Sequence, residues 1–281
     1  MMGHFNYNGK FYKENIPIIG ASNRGLRYGY GLFETFKCIN GELVLPDEHF
    51  ARLWKGMNLL QFEIPRHLTP GKLQDEIILL TKKNGHNKGA RIRLSIIAGN
   101  GGLYDADSYF PDYIIETWVL GDDQKANLNS NGLVLGVFKE VKKCRDILSN
   151  LKHNNYLPQV LAALQAKKQK WNDAVILNSE GRICESTIAN IFLIKNGKVF
   201  TPSLEEGCVA GIIRKKIIQQ LSSGIWKPEE TQLQLEDLFN ADEIFLSNSI
   251  NEIRWVKSVG DFTYVNTVTQ QIYKSFQPVI Y

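Results

Sequence analysis

Long apolar runs are missing from this 281-residue chain: none approaches the ~18–20 residues that a membrane-spanning helix needs. The first residues, Met1-Met2-Gly3-His4-Phe5, lack the charged-then-apolar layout of a secretory signal, so a soluble cytoplasmic protein is expected. The four cysteines, Cys38, Cys144, Cys184 and Cys208, are widely spaced and form no CxxC pair, so they do not read as a disulfide framework or a zinc site. Five histidines show no HExxH or mixed His/Cys ligand spacing, and no metal is expected. A GxSxG elbow is absent, and Ser186-Thr187 has no obvious histidine partner in sequence. No internal repeat is visible. A large excess of one charge is lacking as well, with 33 Lys+Arg against 29 Asp+Glu and a net charge of +4. The short clusters Lys142-Lys143-Arg145, Lys167-Lys168-Lys170 and Arg214-Lys215-Lys216 read as solvated faces, and no nucleic-acid partner is expected.

What remains is a globular composition, 43% hydrophobic and 22% charged, long enough for one large domain or two ordinary ones. Asn8-Gly9, Asn40-Gly41 and Asn196-Gly197 each separate apolar or aromatic runs. Asn-Gly tolerates the positive φ angles of a type I′ turn, so each predicts a β-hairpin and together they imply antiparallel or mixed sheet. Thr69-Pro70 opens a helix with Leu73, Ile77, Ile78 and Leu80 that stops at Asn84-Gly85. Pro46-Asp47 opens another, with Phe50, Leu53, Trp54, Met57 and Leu60 at helical spacing. A third is capped by Asn155 or a neighbour and has Pro158 in its first turn. Leu157, Val160, Leu161 and Leu164 are expected to form its buried stripe. A fourth covers about residues 211–221. Gly99-Asn100-Gly101-Gly102 follows a strand-like segment, but loop-like residues come next, so it reads as a turn and not a phosphate-binding fingerprint. The polar stretch 122–127 is the expected linker between an N-terminal α/β domain, 1–121, and a C-terminal domain, 128–281.

Lys152 stands in Leu148-Ser149-Asn150-Leu151-Lys152-His153-Asn154-Asn155-Tyr156, among apolar and amide neighbours that favour a reactive amine by shielding it from water. Downstream come Cys184-Glu185-Ser186-Thr187-Ile188-Ala189-Asn190-Ile191-Phe192, then Val199-Phe200-Thr201-Pro202, then Val209-Ala210-Gly211-Ile212-Ile213-Arg214. This series resembles the signature of the class IV aminotransferases, the fold-type IV pyridoxal-phosphate enzymes, and Lys152 occupies the place of their Schiff-base lysine. Arg24-Gly25-Leu26-Arg27-Tyr28-Gly29-Tyr30-Gly31-Leu32-Phe33-Glu34-Thr35 and Asp47-Glu48-His49-Phe50-Ala51-Arg52-Leu53 look like the family's N-terminal elements, so the resemblance covers nearly the whole chain.

The resemblance implies a two-domain α/β (α+β) fold with mixed, largely antiparallel sheets and pyridoxal 5′-phosphate in the crevice between the domains. Lys152 is then the catalytic residue, which carries the cofactor as a Schiff base and moves the Cα proton. Glu185 is placed at the ring nitrogen, Tyr156 at the ring oxygen, and Arg52 and Ser249 at the phosphate. Gly211, Ile212 and Ile213 open a helix whose N-terminal amides suit the same anion. Tyr28, Arg27 and Phe33 belong to elements that resemble the substrate side, and Arg93 is a candidate for the substrate carboxylate, because Ala98 stands where an arginine is often found before Gly99. A homodimer is implied, in which the Tyr28-Gly29-Tyr30-Gly31 element reaches the partner's pocket.

Three subfamilies share these parts. The Lys152-His153-x-Asn155 context and the Gly99-x-Gly101-Gly102 loop resemble the aminodeoxychorismate lyases, which release pyruvate and 4-aminobenzoate. The segment from Phe33 to Gly41 resembles the D-amino-acid aminotransferases. The branched-chain pattern at the glutamate motif is missing. Transfer of an amino group between an amino acid and a 2-keto acid is the favoured reading, with the lyase as the alternative. A non-catalytic binding protein on the same fold is a remote third.

Overall fold

The structure, a computed structural model, describes residues 3–121 and 128–280, so the expected linker at 122–127 lies outside the described residues. The chain divides into two compact units, residues 1–122 with 152–155, and residues 123–151 with 156–281.

In the first unit, Asn8-Gly9 joins β1 (His4–Tyr7) to β2 (Lys10–Lys13), with φ of 50° and 85°. A short helix, α1 (Arg24–Tyr28), precedes β3 (Gly31–Ile39), which Asn40-Gly41 turns into β4 (Glu42–Leu43) with φ of 51° and 85°. Two helices follow, α2 (Pro46–Leu59) and α3 (Pro70–Lys83), then β5 (Gly89–Ala98) and β6 (Pro111–Val119). As expected, Thr69 caps α3, its hydroxyl accepting from the Lys72 amide at 3.2 Å. The six strands form one antiparallel sheet in the order β2-β1-β6-β5-β3-β4.

Strand alternation gives this sheet two unlike faces. Leu32, Phe36 and Cys38 alternate with Phe33, Thr35 and Lys37, and their partners in β5 are Ile96, Ile92 and Ala90. These apolar rungs meet α2, where Phe36 lies 5.3 Å from Phe50 between ring centroids. The opposite face carries Phe33 beside Ser95, Thr35 beside Arg93 and Glu116, and Lys37 beside Arg91.

The second unit begins with β7 (Leu133–Lys143) and α4 (Leu157–Gln169). It continues through β8 (Asp173–Asn178), β9 (Ile183–Ser186), β10 (Asn190–Lys195) and β11 (Lys198–Pro202). Then come α5 (Ile212–Leu221), β12 (Pro228–Thr231), α6 (Leu235–Phe239) and β13 (Glu243–Asn248). The last elements are β14 (Glu252–Val259), β15 (Phe262–Thr263) and α7 (Thr267–Ile280). Asn196-Gly197 makes the third hairpin, between β10 and β11. The sheet is mixed, ordered β12-β11-β10-β13-β14-β7-β8-β9 with β15 on β14; its parallel pairs are β11–β12, β14–β7 and β7–β8. No helix among the described residues is long and apolar enough to cross a membrane.

The third helix corrects an expectation. Leu157, Val160, Leu161 and Leu164 are exposed, Leu157 at 72% and Leu164 at 59%, while Gln159, Ala162 and Ala166 are buried. At ~100° per residue the two sets lie on opposite sides of the helix. Ala162 and Ala166 pack with Phe138, Ala174 and Ile176 of β7 and β8. Small residues let the helix lie close on the sheet, and its larger apolar stripe faces outward.

Two charged clusters also differ from the solvated faces expected of them. Lys143 is only 6% exposed, and Arg214 is buried, donating to the Pro202 carbonyl at 2.8 Å and to Glu230 at 2.5 Å.

Candidate active site

Lys152 belongs to the first unit by its backbone. Its carbonyl accepts the Phe33 amide at 2.9 Å, the Asn154 amide donates to the Gly31 carbonyl at 3.0 Å, and His153 bridges Leu32. Residues 152–154 thus pair antiparallel with the start of β3, and two glycines make room for them. A Cβ on Gly31 would lie 2.5 Å from Asn154 Nδ2, and one on Gly29, whose φ is +64°, would lie 2.1 Å from Asn155 Oδ1.

Held there, the Lys152 ammonium lies 4.4 Å from the centroid of the Phe33 ring. The Arg93 guanidinium lies 3.8 Å from the same centroid, steered by a 3.0 Å hydrogen bond from Nε to Ser95 Oγ. A primary amine and a guanidinium therefore both lie against the Phe33 ring.

Arg52 sits on α2 and grips Glu34 of β3 with a fork: Nε donates to Oε1 at 2.8 Å and Nη2 to Oε2 at 2.6 Å. His49 Nδ1 lies 2.7 Å from the same Oε2. Burial alone would raise the Glu34 carboxyl, but Arg52 and His49 outweigh it and hold the pKa down at about 2. Burial also lowers His49, against the pull of Glu34. Arg27 and Tyr28 stand apart from these groups, exposed on α1; Arg27 Nε donates to the Ala21 carbonyl at 2.7 Å. Arg24, which the sequence reading did not single out, is buried with its guanidinium 5.1 Å from the Tyr30 ring centroid.

In the second unit, Glu185 lies on β9 with its carboxylate buried and fully oriented. Oε1 accepts from Lys143 Nζ at 2.7 Å and Gln159 Nε2 at 3.0 Å, and Oε2 accepts the Val209 amide at 2.8 Å. Tyr156 occupies the N-cap of α4, close enough to interact electrostatically with Lys143.

The Glu–Asn–Gly spacing of the motif has a mechanical basis. Asn190 Nδ2 donates to the Val209 carbonyl at 2.9 Å, and Asn150 receives the Ala210 amide on its carbonyl at 3.0 Å while its side chain donates to the Cys208 carbonyl at 2.7 Å. A Cβ at position 211 would lie 1.9 Å from Asn190 Oδ1. Residues 208–211 are thus pinned peptide by peptide before α5 starts. Gly211 is the N-cap of α5 and offers no side-chain cap, so the amides of Ile212 and Ile213 open the helix as donors.

Ser247 pairs with Asn190 across β13 and β10, on the face that α5 covers. Its hydroxyl is buried, the residue 2% exposed, without a hydrogen-bond partner among the described residues. Asn248 Oδ1 accepts the amides of Ile250 and Asn251 at 3.0 and 2.8 Å, which shapes the turn that carries half-buried Ser249. An orphaned hydroxyl beside an uncapped helix start is a donor set suited to a phosphate.

Ser186 Oγ donates to Asp173 at 2.7 Å and Thr187 Oγ1 does so at 2.6 Å, so both serve a buried structural carboxylate. Among the described residues no cluster of His, Cys, Asp or Glu could hold a metal. Lys143 and Gln159 are the site residues that sequence reasoning missed. For Lys143 the one available signal was its place at the end of an apolar strand run.

The mixed α/β architecture is that of the fold-type IV pyridoxal-phosphate-dependent enzymes. The crystal structure of the branched-chain amino acid aminotransferase of Escherichia coli superposes with a TM-score of 0.87 at 25% identity, covering 100% of this chain and 95% of that one. Aminodeoxychorismate lyase of Vibrio harveyi is 31% identical over 246 residues, 88% of each chain. A Methanocaldococcus jannaschii protein provisionally named as a branched-chain-amino-acid aminotransferase is also 31% identical, over 253 residues, 88% of this chain and 84% of its own. The family profile described as "Amino-transferase class IV" matches residues 31–259, and the chain belongs to that family.

Proposed function

We propose that the protein is a pyridoxal-phosphate-dependent aminotransferase that moves an amino group between an amino acid and a 2-keto acid. The observation that carries this reading is the platform on Phe33, where the Lys152 amine and the Arg93 guanidinium stand 4.4 and 3.8 Å from one ring centroid. An α-amino acid presents its carboxylate and its Cα–H within a few bonds of each other. Arg93 suits the first and Lys152 Nζ the second.

The cofactor, when bound, supplies an electron sink for negative charge at Cα. Lys152 would hold it covalently and, once displaced by the incoming substrate amine, would take the Cα proton on Nζ. Arg52, Ser249 and the amides of Ile212 and Ile213, which follow Gly211, would bind its phosphate. Tyr156 would donate to its ring oxygen, and Glu185 would accept from its ring nitrogen. Arg52 is pre-oriented for its role by the fork on Glu34. The orphaned Ser247 hydroxyl supports the same assignment. Phe33 shields the amine on one side, and Arg27 and Tyr28 complete the substrate side in a homodimer.

The exposed stripe of α4 supports that dimer. A run of large apolar side chains on one helix face marks an interaction surface. Covering a leucine or valine contributes about 1.5–3 kcal/mol when burial is complete. We place the enzyme in the cytoplasm.

The discriminating experiment mixes holoenzyme with single amino acids of both enantiomers and no acceptor. At least one is expected to release a stoichiometric amount of its 2-keto acid. If none does, while aminodeoxychorismate yields pyruvate and 4-aminobenzoate, the lyase reading replaces this one.

A further inference from the structure

Lys143 is a buried cation with a specific task in view. The register of β7 on β8 shifts between Phe138, opposite Ile176, and Lys143, opposite Asn178, so five residue steps on β7 span two on β8. A bulge of this kind re-aims the side chains that follow it. Here it turns a lysine inward, and Nζ meets Glu185 Oε1 at 2.7 Å with both side chains almost excluded from water.

The acceptor positions of Glu185 can be counted. A carboxylate oxygen accepts two hydrogen bonds in its plane. Oε1 already accepts two, from Lys143 and Gln159. Oε2 accepts only the Val209 amide among the described residues. One acceptor position, on Oε2, is left for a ligand. We propose that Lys143 is a positioning residue that keeps Glu185 ionised and fixes its orientation, so that Oε2 alone is presented to the N–H of the cofactor ring.

This inference rests on the pyridoxal-phosphate reading above and deepens it. A buried glutamate without a cation drifts toward its neutral form, in which it donates a proton and no longer accepts one. Lys143 prevents this because it stays charged itself: burial lowers its pKa, but the attraction of Glu185 more than reverses that. The other titratable groups facing the pair are Cys184, Cys208 and Tyr156, and burial pushes both thiols up. Glu206 interacts with Cys184, and its own charge is matched by Arg182 and Arg145.

The test compares wild type with Lys143→Met, Lys143→Arg, Glu185→Gln and the double variant Lys143→Met/Glu185→Gln. Two quantities are read in each: exchange of the amino-acid Cα proton for solvent deuterium by holoenzyme, and the carbon-13 titration of the Glu185 carboxyl in protein with and without cofactor. Lys143→Met is expected to raise the Glu185 titration by about two pH units or more and to slow exchange about 10- to 100-fold. Lys143→Arg restores both to within a few-fold. The double variant removes both charges, so it folds even if Lys143→Met does not, and exchanges no more slowly than Glu185→Gln.

Wild-type titration and exchange in Lys143→Met would overturn the proposal. So would a double variant well below Glu185→Gln in exchange, because Lys143 would then act apart from Glu185. Borohydride labelling of wild type at residue 152 keeps the two readings separable. With that label present, these failures count against Lys143 alone. Without it the pyridoxal-phosphate reading fails, and the proposed role falls with it.

Discussion

Arg52 and Glu34 meet through two parallel hydrogen bonds, 2.8 and 2.6 Å long, across the gap between α2 and β3. The Glu34 side chain is 1% exposed and that of Arg52 14%, so the charge of the pair is sheltered from solvent. The Glu34 carboxyl, held at about 2, lies below its ordinary value of 4.5. A carboxylate depressed on folding stabilises the native state above its unfolded pKa, and that contribution is lost as pH falls from about 4.5 toward 2. Glu34→Gln is therefore expected to destabilise the protein by a few kcal/mol at pH 7 and by clearly less near pH 2.5. Urea unfolding at the two pH values measures the difference, and an equal loss at both would show that the pair does not titrate as described.

Gly211 faces Asn190 at a distance that admits no side chain, since a Cβ would fall 1.9 Å from Oδ1. Gly211→Ala is expected to cost about 1–3 kcal/mol in thermal unfolding and to weaken cofactor binding, because Asn190 must release the Val209 carbonyl. Asn190→Ala in the same background removes the clash and should recover part of the binding. A stable Gly211→Ala protein with unchanged cofactor affinity would mean that residues 208–211 are not held rigidly.

Arg93 is expected to act on the substrate and not on the cofactor. In Arg93→Ala the KM for the amino donor should rise at least about tenfold, the scale of a lost charge-assisted hydrogen bond, while cofactor content stays at the wild-type level. Unchanged KM would place the carboxylate elsewhere.

The outward stripe of α4 gives an assembly test. Wild type is expected to sediment as a dimer, and Leu161→Glu with Leu164→Glu to shift it toward monomer. These side chains are exposed in the single chain, so the substitutions leave its own core intact. A wild-type monomer would contradict the homodimer, and a variant that stays dimeric would move the interface off α4.

The parts legible in sequence were those fixed by local chemistry. Asn-Gly at 8–9, 40–41 and 196–197 accommodates positive φ in both residues, and each pair made its hairpin. Thr69-Pro70 carries its own cap and start. The α4 stripe was readable as apolar, but periodicity does not say which side of a helix meets the sheet. There, Ala162 and Ala166 took the inner face because the helix packs closely on β7 and β8. Lys143 was out of reach for another reason: its direction depends on a bulge that involves β8, more than thirty residues away. The fork between Arg52 and Glu34 likewise joins two elements whose packing no local pattern specifies.

Attachment of the cofactor to Lys152 is open to direct chemical test. Holoenzyme reduced with borohydride, digested and sequenced by mass spectrometry is expected to hold a phosphopyridoxyl group on Lys152 alone, with the visible absorbance lost on reduction and absent from Lys152→Ala. A phosphopyridoxyl group on Lys37, Lys143 or any other lysine, or none on protein saturated with pyridoxal phosphate, would contradict this role of Lys152.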